Sequence, residues 1–332
     1  MNPMNNSLKF LSELDKQSDI ILIAHTSPDG DTICSCLALF ELLKKCGKNV
    51  QLVCDCVVPP ILSFFENSDK FIMPEDAVKS PCVMTVDCSD TGRLGRAYPL
   101  FENADVTFCI DHHITNTAFA DYNIIDAEAA ATAQVVYFLS EFAKNNKQNL
   151  KIDSLGDIDK NIASYLYGGI LTDTGRFAYS NSTADTFYAA SKLVEFGIDV
   201  SDLCEKLFMT IPLRKSKLLG YCLEKSKLFS NERIAYSFLP LAVVKEYNAG
   251  NNDTEGIVEN LRNIDTVEVA VFVRQDDENR YKISTRSKKY FDVSELCRKY
   301  GGGGHKRAAG FNFEGDIDSF IDNLIAEIGN EL

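Results

Sequence analysis

The four histidines of this 332-residue chain and several aspartates are the side chains whose types and spacing could do metal or acid–base chemistry. Three of the histidines stand beside aspartates, in the segments HTSPDGD (25–31) and DHH (111–113). Asp87 follows an apolar run, Asp173 ends a predicted helix, and His305 follows four glycines. Carboxylates and imidazoles bind divalent cations and carry protons. Their spacing therefore indicates a metal-binding or hydrolytic site.

Short apolar runs, which predict buried β-strands, end just before three of these polar segments. The runs are DIILIA (19–24), CVMTV (82–86) and DVTFCI (105–110). Helical stretches separate them, so we expect a parallel sheet that is covered on both faces. The carboxyl ends of the strands form the ligand crevice in such sheets. The histidines and aspartates are therefore expected to meet at one sheet edge.

Five aspartates at one edge would repel one another unless positive charge lay between them; they are Asp29, Asp31, Asp87, Asp111 and Asp173. Divalent cations are the natural compensation, and oxygen-rich sites with some imidazole favour Mn²⁺, Mg²⁺ or a similar ion. Two such ions about 3.5–4 Å apart, bridged by one carboxylate, would hold a hydroxide for attack on phosphorus. A role in a turn or a helix cap would explain any one of these aspartates alone, but it would not explain why all of them are expected at one edge of the sheet.

The segment GGGGHKRAAG (301–310) is the second candidate centre. Consecutive glycines let backbone N–H groups approach an anion closely. Residues 281–310 carry eight basic side chains against two acidic ones, in a chain of net charge −14. A phosphate-binding role is the economical interpretation, and a flexible surface turn is the alternative.

Two weaker signals lie near the first candidate site. Arg93 and Arg96 follow Asp87 in a loop, and one of them either reaches a phosphate or is an ordinary surface arginine. Asn116 follows the histidine pair by three positions and is expected to support the site.

Composition restricts the class of protein. A net charge of −14 excludes the generally basic surface of a protein that coats duplex nucleic acid. The eleven cysteines lack zinc-site spacing, which indicates free thiols in a reducing cytoplasm. No apolar run approaches the roughly 20 residues that would cross a bilayer, and we expect a soluble protein without a membrane partner.

The pattern of elements predicts an α/β protein with two domains. We expect a parallel-sheet α/β domain over residues 1–190 and a helical linker over residues 191–215. A smaller α/β domain with a mixed sheet is expected over residues 216–332.

These motifs, in this order, resemble those of the DHH-family phosphoesterases with a C-terminal DHH-associated domain. The resemblance covers nearly the whole chain and is strongest to the oligoribonuclease/pAp-phosphatase (nano-RNase) branch. The matching segments are His25-x-x-Pro28-Asp29-Gly30-Asp31, Val86-Asp87, Asp111-His112-His113-x-x-Asn116, Asp173-Thr174-Gly175 and Gly301 to Gly310.

The resemblance implies a role for each of these residues. It implies two divalent ions, with Mn²⁺ expected: His25 and Asp29 on one, Asp31, His112 and Asp173 on the other, and Asp87 bridging both. It also implies that Asp111 orients an imidazole and that His113 contacts the scissile phosphate or assists the leaving group. Beside Arg93 and Asn116, the residues expected to contact substrate are Arg286, Ser287, Gly302, Gly303, Gly304 and His305.

The predicted function is metal-dependent hydrolysis of short nucleotides. The expected substrates are oligoribonucleotides of two to five residues, 3′-phosphoadenosine 5′-phosphate (pAp), or both. A cyclic di-AMP or pApA phosphodiesterase is the alternative within the family, and an inorganic pyrophosphatase is disfavoured by the glycine segment. A non-catalytic dinucleotide sensor is the alternative of another class, and a homodimer stays open.

Overall fold

The computed structural model of this protein describes residues 6–146 and 152–332. The chain divides into two compact units, Met1–Thr210 and Ile211–Leu332. In the described part of the chain, no helix has the length and apolar character needed to cross a membrane.

A six-stranded, fully parallel sheet forms the centre of the first unit, with strand order β3-β2-β1-β4-β5-β6. Its strands are β1 (Asp19–Ala24), β2 (Asn49–Cys54), β3 (Phe71–Ile72), β4 (Cys82–Val86), β5 (Val106–Asp111) and β6 (Tyr122–Ile125). The three runs 19–24, 82–86 and 105–110 thus form β1, β4 and β5, side by side at the centre. Every residue of β4 is buried, as the uninterrupted apolar run predicts.

Helices cover the sheet of the first unit, namely α1 (Ser7–Asp15), α2 (Gly30–Lys45), α3 (Tyr98–Glu102), α4 (Thr132–Asn145), α5 (Lys160–Asp173), α6 (Ala184–Val194) and α7 (Val200–Cys204). The larger apolar core contains side chains of α1, α2, α4 and α5, and a smaller one contains side chains of α3 and the 3₁₀ segment Thr91–Ala97. Helix α4 begins at Thr132, and the backbone N–H groups of its first turn bind a side chain of α2.

The second unit contains a six-stranded mixed sheet with strand order β11-β12-β10-β9-β8-β7. The strands are β7 (Lys227–Phe229), β8 (Ile234–Leu239), β9 (Val269–Asp277), β10 (Arg280–Ser287), β11 (Gly303–His305) and β12 (Ala308–Glu314). Only β8 and β9 pair in parallel. The helices are α8 (Leu213–Glu224), α9 (Leu241–Glu246), α10 (Ile257–Arg262), α11 (Val293–Lys299) and α12 (Ile317–Glu331). Two apolar cores belong to this sheet.

The glycine segment 301–310, for which the sequence predicts no strand, is largely a β-hairpin. Its residues form β11 and the start of β12, which pair antiparallel. The sequence does not suggest a strand here because glycine is depleted in strands.

Candidate metal centre

The ends of three adjacent strands bring the predicted ligands of the first unit together. His25 directly follows β1, Asp87 directly follows β4, and Asp111 is the last residue of β5. Because the strands are parallel neighbours, these positions share one edge. His112 and His113 continue the chain from β5 at the same edge.

Two helices add the remaining carboxylates. Asp29 caps the N-terminus of α2, where its side chain accepts a hydrogen bond from the Thr32 N–H, and Asp31 lies in the first turn of that helix. Asp173 is the last residue of α5. The helix ends therefore place three acidic groups around the strand ends.

Three overlapping groups of these side chains could each hold a cation, with ligand atoms that all lie within 4.8 Å of one another. The groups are His25–Asp29–Asp87, Asp31–His112–Asp173 and Asp87–His112–His113. The position of Asp87 is central, because it belongs to two of them. Its Oδ2 lies 3.6 Å from Nε2 of His25, and its Oδ1 lies 3.6 Å from Nε2 of His112. Each carboxylate oxygen thus faces a different imidazole.

Backbone carbonyls fix the tautomers of two histidines in a form that suits metal binding. Nδ1 of His25 lies 2.7 Å from the Thr26 carbonyl oxygen, and Nδ1 of His112 lies 3.2 Å from that of Ala129. A carbonyl can only accept a hydrogen bond, so each Nδ1 carries a proton, and Nε2 is the nitrogen that faces the candidate ligand groups. In His112, Nε2 lies 3.4 Å from Oδ2 of Asp173. This donor set fits a cation bound by nitrogen and carboxylate oxygen.

The buried negative charge of the centre favours the binding of a cation. Asp31 and Asp87 are only 1% and 2% exposed. Burial, with the charges of Asp87 and Asp173, raises the pKa of Asp31 well above its usual value. Burial, more than the charge of Asp29, also raises the pKa of Asp173 to about 6. Burial opposes the charge on Asp87, but the adjacent His25 and His112 imidazoles outweigh it and lower its pKa to about 2. A divalent ion would offset this crowding.

Thr32 is a residue of the centre that the sequence analysis did not single out. Its hydroxyl lies 2.7 Å from Nε2 of His25 and donates to Oδ2 of Asp87 at 2.6 Å. The side chain is fully buried. The one available signal was its position directly after Asp31 in the first motif.

The N-terminus of α4 holds Asp31 in place. The N–H groups of Thr132 and Ala133 donate to its two carboxylate oxygens at 2.6 and 2.9 Å. The Thr132 hydroxyl donates to Oδ1 of Asp87 at 2.8 Å. The positive end of the helix dipole further favours a carboxylate here. No sequence signal pointed to Thr132, because it lies a hundred residues from Asp31 and is an ordinary residue for a helix start.

Asp111, His113 and Asn116 form a hydrogen-bonded chain beside the two ligand groups. Nδ1 of His113 lies 2.7 Å from Oδ1 of Asp111, and this bond raises the pKa of His113. The Asn116 amide donates to Oδ2 of Asp111 at 2.6 Å and to the Cys88 carbonyl oxygen at 3.0 Å. Its own oxygen accepts from the Ala118 N–H. Both ends of the Asn116 side chain are thus engaged within the protein and support Asp111, and contact of Asn116 with substrate stays a prediction.

Two arginines follow Asp87, and the structure distinguishes them. Nη2 of Arg93 lies 3.1 Å from Nε2 of His25, so Arg93 belongs to the centre. Arg96 instead forms ion pairs with Asp55 and Glu75.

Asn181 connects two parts of the centre that are distant in sequence. Its amide nitrogen donates to the carbonyl oxygens of Asp173 and Ala130, both at 3.1 Å. The amide therefore ties the end of α5 to the loop before α4. Asn181 lies outside every motif that the sequence analysis quoted.

The predicted substrate residues of the second unit differ in how much of their side chains is free. Nε of Arg286 donates to Glu259 at 2.9 Å. Ser287 is buried, and its hydroxyl donates to the Phe291 carbonyl oxygen at 2.6 Å. His305 is exposed.

Close packing explains three of the glycines in the segment 301–310, namely Gly302, Gly304 and Gly310. A Cβ on Gly302 would lie 2.9 Å from Cα of Phe311, and one on Gly304 would lie 2.6 Å from Cα of Ala309. Gly303 differs, because a Cβ there would meet no described atom within 4 Å. An approaching anion would gain unobstructed access at Gly303.

Comparison with known proteins agrees with this architecture. The sequence profile of the DHH family, N-terminal domain, matches residues 19–170, and that of the DHHA1 domain matches residues 231–330. A bifunctional oligoribonuclease and PAP phosphatase NrnA from Thermus thermophilus is 30% identical over 318 residues, covering 95% of this chain and 91% of that protein. The protein of the same name from Bacillus subtilis is 26% identical over 293 residues, with 88% of each chain covered.

A solved structure shares the fold. The exopolyphosphatase-related protein from Bacteroides fragilis matches with a TM-score of 0.88 at 24% identity, over 98% of this chain and 97% of that one. The two profile matches follow one another along the chain as the two sheets do. This chain therefore belongs to the DHH family, with an N-terminal DHH domain and a DHHA1 domain, and is an enzyme that hydrolyses phosphoester bonds.

Proposed function

We propose that this enzyme hydrolyses short nucleotides, namely oligoribonucleotides of two to five residues and pAp, with the help of two divalent ions. The observation that carries the proposal is the position of Asp87, whose two oxygens face His25 and His112 separately. This is the arrangement that a carboxylate bridging two cations requires. The names of the relatives from Thermus thermophilus and Bacillus subtilis support the choice of substrates.

Six side chains would hold the ions, and Mn²⁺ suits their mixture of oxygen and imidazole donors; they are His25, Asp29, Asp31, Asp87, His112 and Asp173. When bound, such ions lower the pKa of a water molecule and offset the negative charge of a phosphate. The chain's own contribution is to hold these ligands in fixed tautomers and hydrogen bonds, through Thr32, Thr132 and the backbone carbonyls.

His113 is the proposed group for proton transfer or phosphate contact. Its ring is 30% exposed, and Asp111 fixes it and favours its charged form. A charged imidazole can donate a proton to a departing ribose oxygen. Arg93, which lies against His25, is proposed to contact the same phosphate.

The second unit is proposed to bind the remainder of the nucleotide. Arg286 and His305 supply positive or hydrogen-bonding groups, and Gly303 supplies open backbone. Arg286 would share its guanidinium between Glu259 and a phosphate. The buried Ser287 hydroxyl is proposed to support substrate binding indirectly, by holding the turn at Phe291 in place.

The proposed location is the cytoplasm, and duplex nucleic acid and membranes are not proposed as partners. Support for a reducing compartment comes from the eleven cysteines, all of which are free thiols. A homodimer stays a prediction.

A panel of substrates tests the proposal. The purified enzyme with Mn²⁺ is given pApA, a pentaribonucleotide, pAp, cyclic di-AMP and pyrophosphate, and the products are separated by chromatography. We expect rapid cleavage of the pentaribonucleotide and of pAp, whereas cleavage of pApA is common to the proposal and to the phosphodiesterase alternative. Preferred cleavage of cyclic di-AMP would replace the proposal with the cyclic dinucleotide alternative, and tight binding without cleavage would favour a sensor.

Asp87→Ala is the decisive variant in that panel. We expect it to abolish hydrolysis because both ligand groups lose a shared carboxylate. Asp69→Ala is the matched control, since the Asp69 side chain is 76% exposed and outside the site. Near-normal turnover by Asp87→Ala in excess Mn²⁺ would contradict the two-ion arrangement.

A further inference from the structure

A turn with unusual backbone geometry follows Asp173 directly. Three consecutive residues, Gly175, Arg176 and Phe177, have left-handed φ angles of 53°, 64° and 62°. Residues other than glycine rarely adopt this backbone conformation, and two such residues in succession are rarer still. Such strain persists only where the surroundings determine it, and it clusters at functional sites.

Hydrogen bonds determine the backbone of this turn. The N–H of Arg176 donates to the Leu171 carbonyl oxygen at 2.9 Å, and the N–H of Phe177 donates to the Thr174 hydroxyl at 3.0 Å. The N–H of Tyr179 donates to the Thr174 carbonyl oxygen at 3.0 Å. Thr174 is completely buried, so its position is set by the core.

Aromatic packing determines the side chains of the turn as well. The Phe177 ring stacks on Phe187 with centroids 5.1 Å apart and meets Tyr167 edge-on at 6.2 Å. The Arg176 guanidinium lies 5.2 Å from the centre of the Phe208 ring. The turn is therefore rigid on both sides.

The result of this construction is an exposed aromatic ring on the short loop that follows Asp173. Tyr179 is 59% exposed, and its ring lies over Gly175. A Cβ at Gly175 would be 2.6 Å from Cε1 of Tyr179, so a larger residue would displace the ring. Asn181, two residues later, binds the Asp173 carbonyl oxygen. The chain thus closes a short loop from Asp173 to Asn181, with Tyr179 inside it.

We propose that Tyr179 is a stacking surface for a nucleobase of the substrate, an inference that rests on the proposed function and names how a base is recognised. Packing does not account for the ring, because more than half of its surface faces solvent. Aromatic rings bind bases through their faces, whichever base is present. One such ring on the loop that follows the candidate ligand Asp173 would accept oligoribonucleotides of any sequence.

The absence of tryptophan from this chain allows a direct test of stacking. Tyr179→Trp introduces a single indole, and its fluorescence is followed while AMP is added with Mg²⁺. We expect saturable quenching by AMP and none by ribose 5-phosphate, which lacks the base. Tyr188→Trp is the matched control, because Tyr188 is 51% exposed but stacks on Phe138.

Kinetics with pApA provide the second readout. We expect Tyr179→Leu to raise KM roughly tenfold or more, the range that loss of one base–aromatic stack produces. We expect kcat to change little and Tyr179→Phe to behave like the unsubstituted enzyme. Tyr188→Leu should leave both parameters unchanged. Two pApA analogues, one without the 3′-terminal base and one without the 5′-terminal base, identify the base that stacks. For the analogue that lacks this base, KM should be the same in the unsubstituted enzyme and in Tyr179→Leu.

The outcomes separate this inference from the proposed function. If the unsubstituted enzyme cleaves neither pApA nor pAp, the proposed function fails. If it cleaves pApA while Tyr179→Leu keeps the same KM and the Tyr179→Trp signal does not respond to AMP, only the stacking surface is overturned.

Discussion

The Thr32 hydroxyl contacts two predicted ligands, His25 and Asp87, and lies in the core of the candidate centre. Residues that orient metal ligands in this way typically change metal affinity by about 10- to 100-fold when replaced. We expect Thr32→Val, which keeps the shape but removes the hydroxyl, to weaken Mn²⁺ binding by that factor without unfolding the protein.

Isothermal titration with Mn²⁺ and circular dichroism together check this prediction. Thr32→Ser is the control, since it keeps the hydroxyl and should bind Mn²⁺ almost normally. Equal Mn²⁺ affinity in Thr32→Val and the unsubstituted protein would show that the hydroxyl has no orienting role.

Gly303 gives a prediction about the second unit. A methyl group at this position meets no described atom within 4 Å, so Gly303→Ala should leave the melting temperature nearly unchanged. If a phosphate approaches this backbone closely, the same methyl group should raise KM several-fold for pAp and pApA. Gly220→Ala is the control, because Gly220 lies in α8 and also has open space. An unaltered KM in Gly303→Ala would place the phosphate elsewhere.

Single residues were predictable where type and position coincided. The side chains that can bind metal include those of His25, Asp87 and His112, and each follows an apolar strand directly or lies just beyond its end. Their meeting at one sheet edge was therefore predictable from a single sequence. Thr132 and Asn181 carry no such signal, because threonine and asparagine are ordinary at helix starts and turns. Only the folded chain brings them to the centre.

At the scale of elements, one buried carboxylate organises the turn between β10 and α11. Glu268 is 5% exposed and accepts hydrogen bonds from the N–H groups of Lys289, Tyr290 and Phe291. Burial acts to raise the pKa of Glu268, but these three bonds outweigh it and lower the pKa below its usual 4.5. The ionised carboxylate therefore stabilises the folded state.

Glu268→Gln tests this turn and its dependence on pH. Because the folded-state pKa is lowered, the stabilisation is present above pH 4.5 and is lost as the pH falls through the lower folded value. We expect Glu268→Gln to reduce the free energy of unfolding by about 1–3 kcal/mol at neutral pH. Urea unfolding should show this difference shrinking below pH 4.5.

The exposed Glu255 supplies the control, since Glu255→Gln should have little effect at any pH. A difference for Glu268→Gln that stayed constant from neutral to acid pH would mean that the carboxylate charge is not what stabilises the turn.

The elements were predictable where periodicity was strong. The buried strands β1, β4 and β5 match their apolar runs, because parallel strands covered on both faces contain little else. The start of α4 and the strand β11 could not be predicted, since one depends on Asp31 of another helix and the other consists mainly of glycine.

At the scale of the whole molecule, the buried aspartates predict that a bound cation stabilises the folded protein. Asp31 and Asp87 are almost completely buried, and a bound cation would offset their repulsion. A ligand that binds only the folded state at 100 times its Kd adds about 2.7 kcal/mol. We expect removal of metal with a chelator to lower the melting temperature and added Mn²⁺ to restore it.

Differential scanning calorimetry of metal-free and Mn²⁺-loaded protein measures this effect. In Asp87→Ala the rise caused by Mn²⁺ should be largely lost, whereas Asp69→Ala should retain it. An identical melting temperature with and without Mn²⁺ in the unsubstituted protein would argue against a structural contribution from the ions.

The two-sheet architecture could be predicted at this scale because the strand patterns of the two halves differ. Uninterrupted apolar runs in the first half indicate a parallel sheet, and alternating strands such as YKISTR (281–286) in the second half indicate an exposed face. The domain limits 1–190 and 216–332 stay predictions beside the observed units Met1–Thr210 and Ile211–Leu332, because helices occupy the intervening region and no change of pattern marks a boundary.

The dispersal of the candidate ligands from His25 to Asp173 has a consequence for synthesis of the protein. A nascent chain on the ribosome lacks Asp173 until α5, which packs against α2 in the folded protein, has been made. Domains generally fold as units during translation. In the proposed arrangement, the Asp31–His112–Asp173 group can therefore form only after α5 has been synthesised, so an ion at this group would bind late in the folding of the first unit.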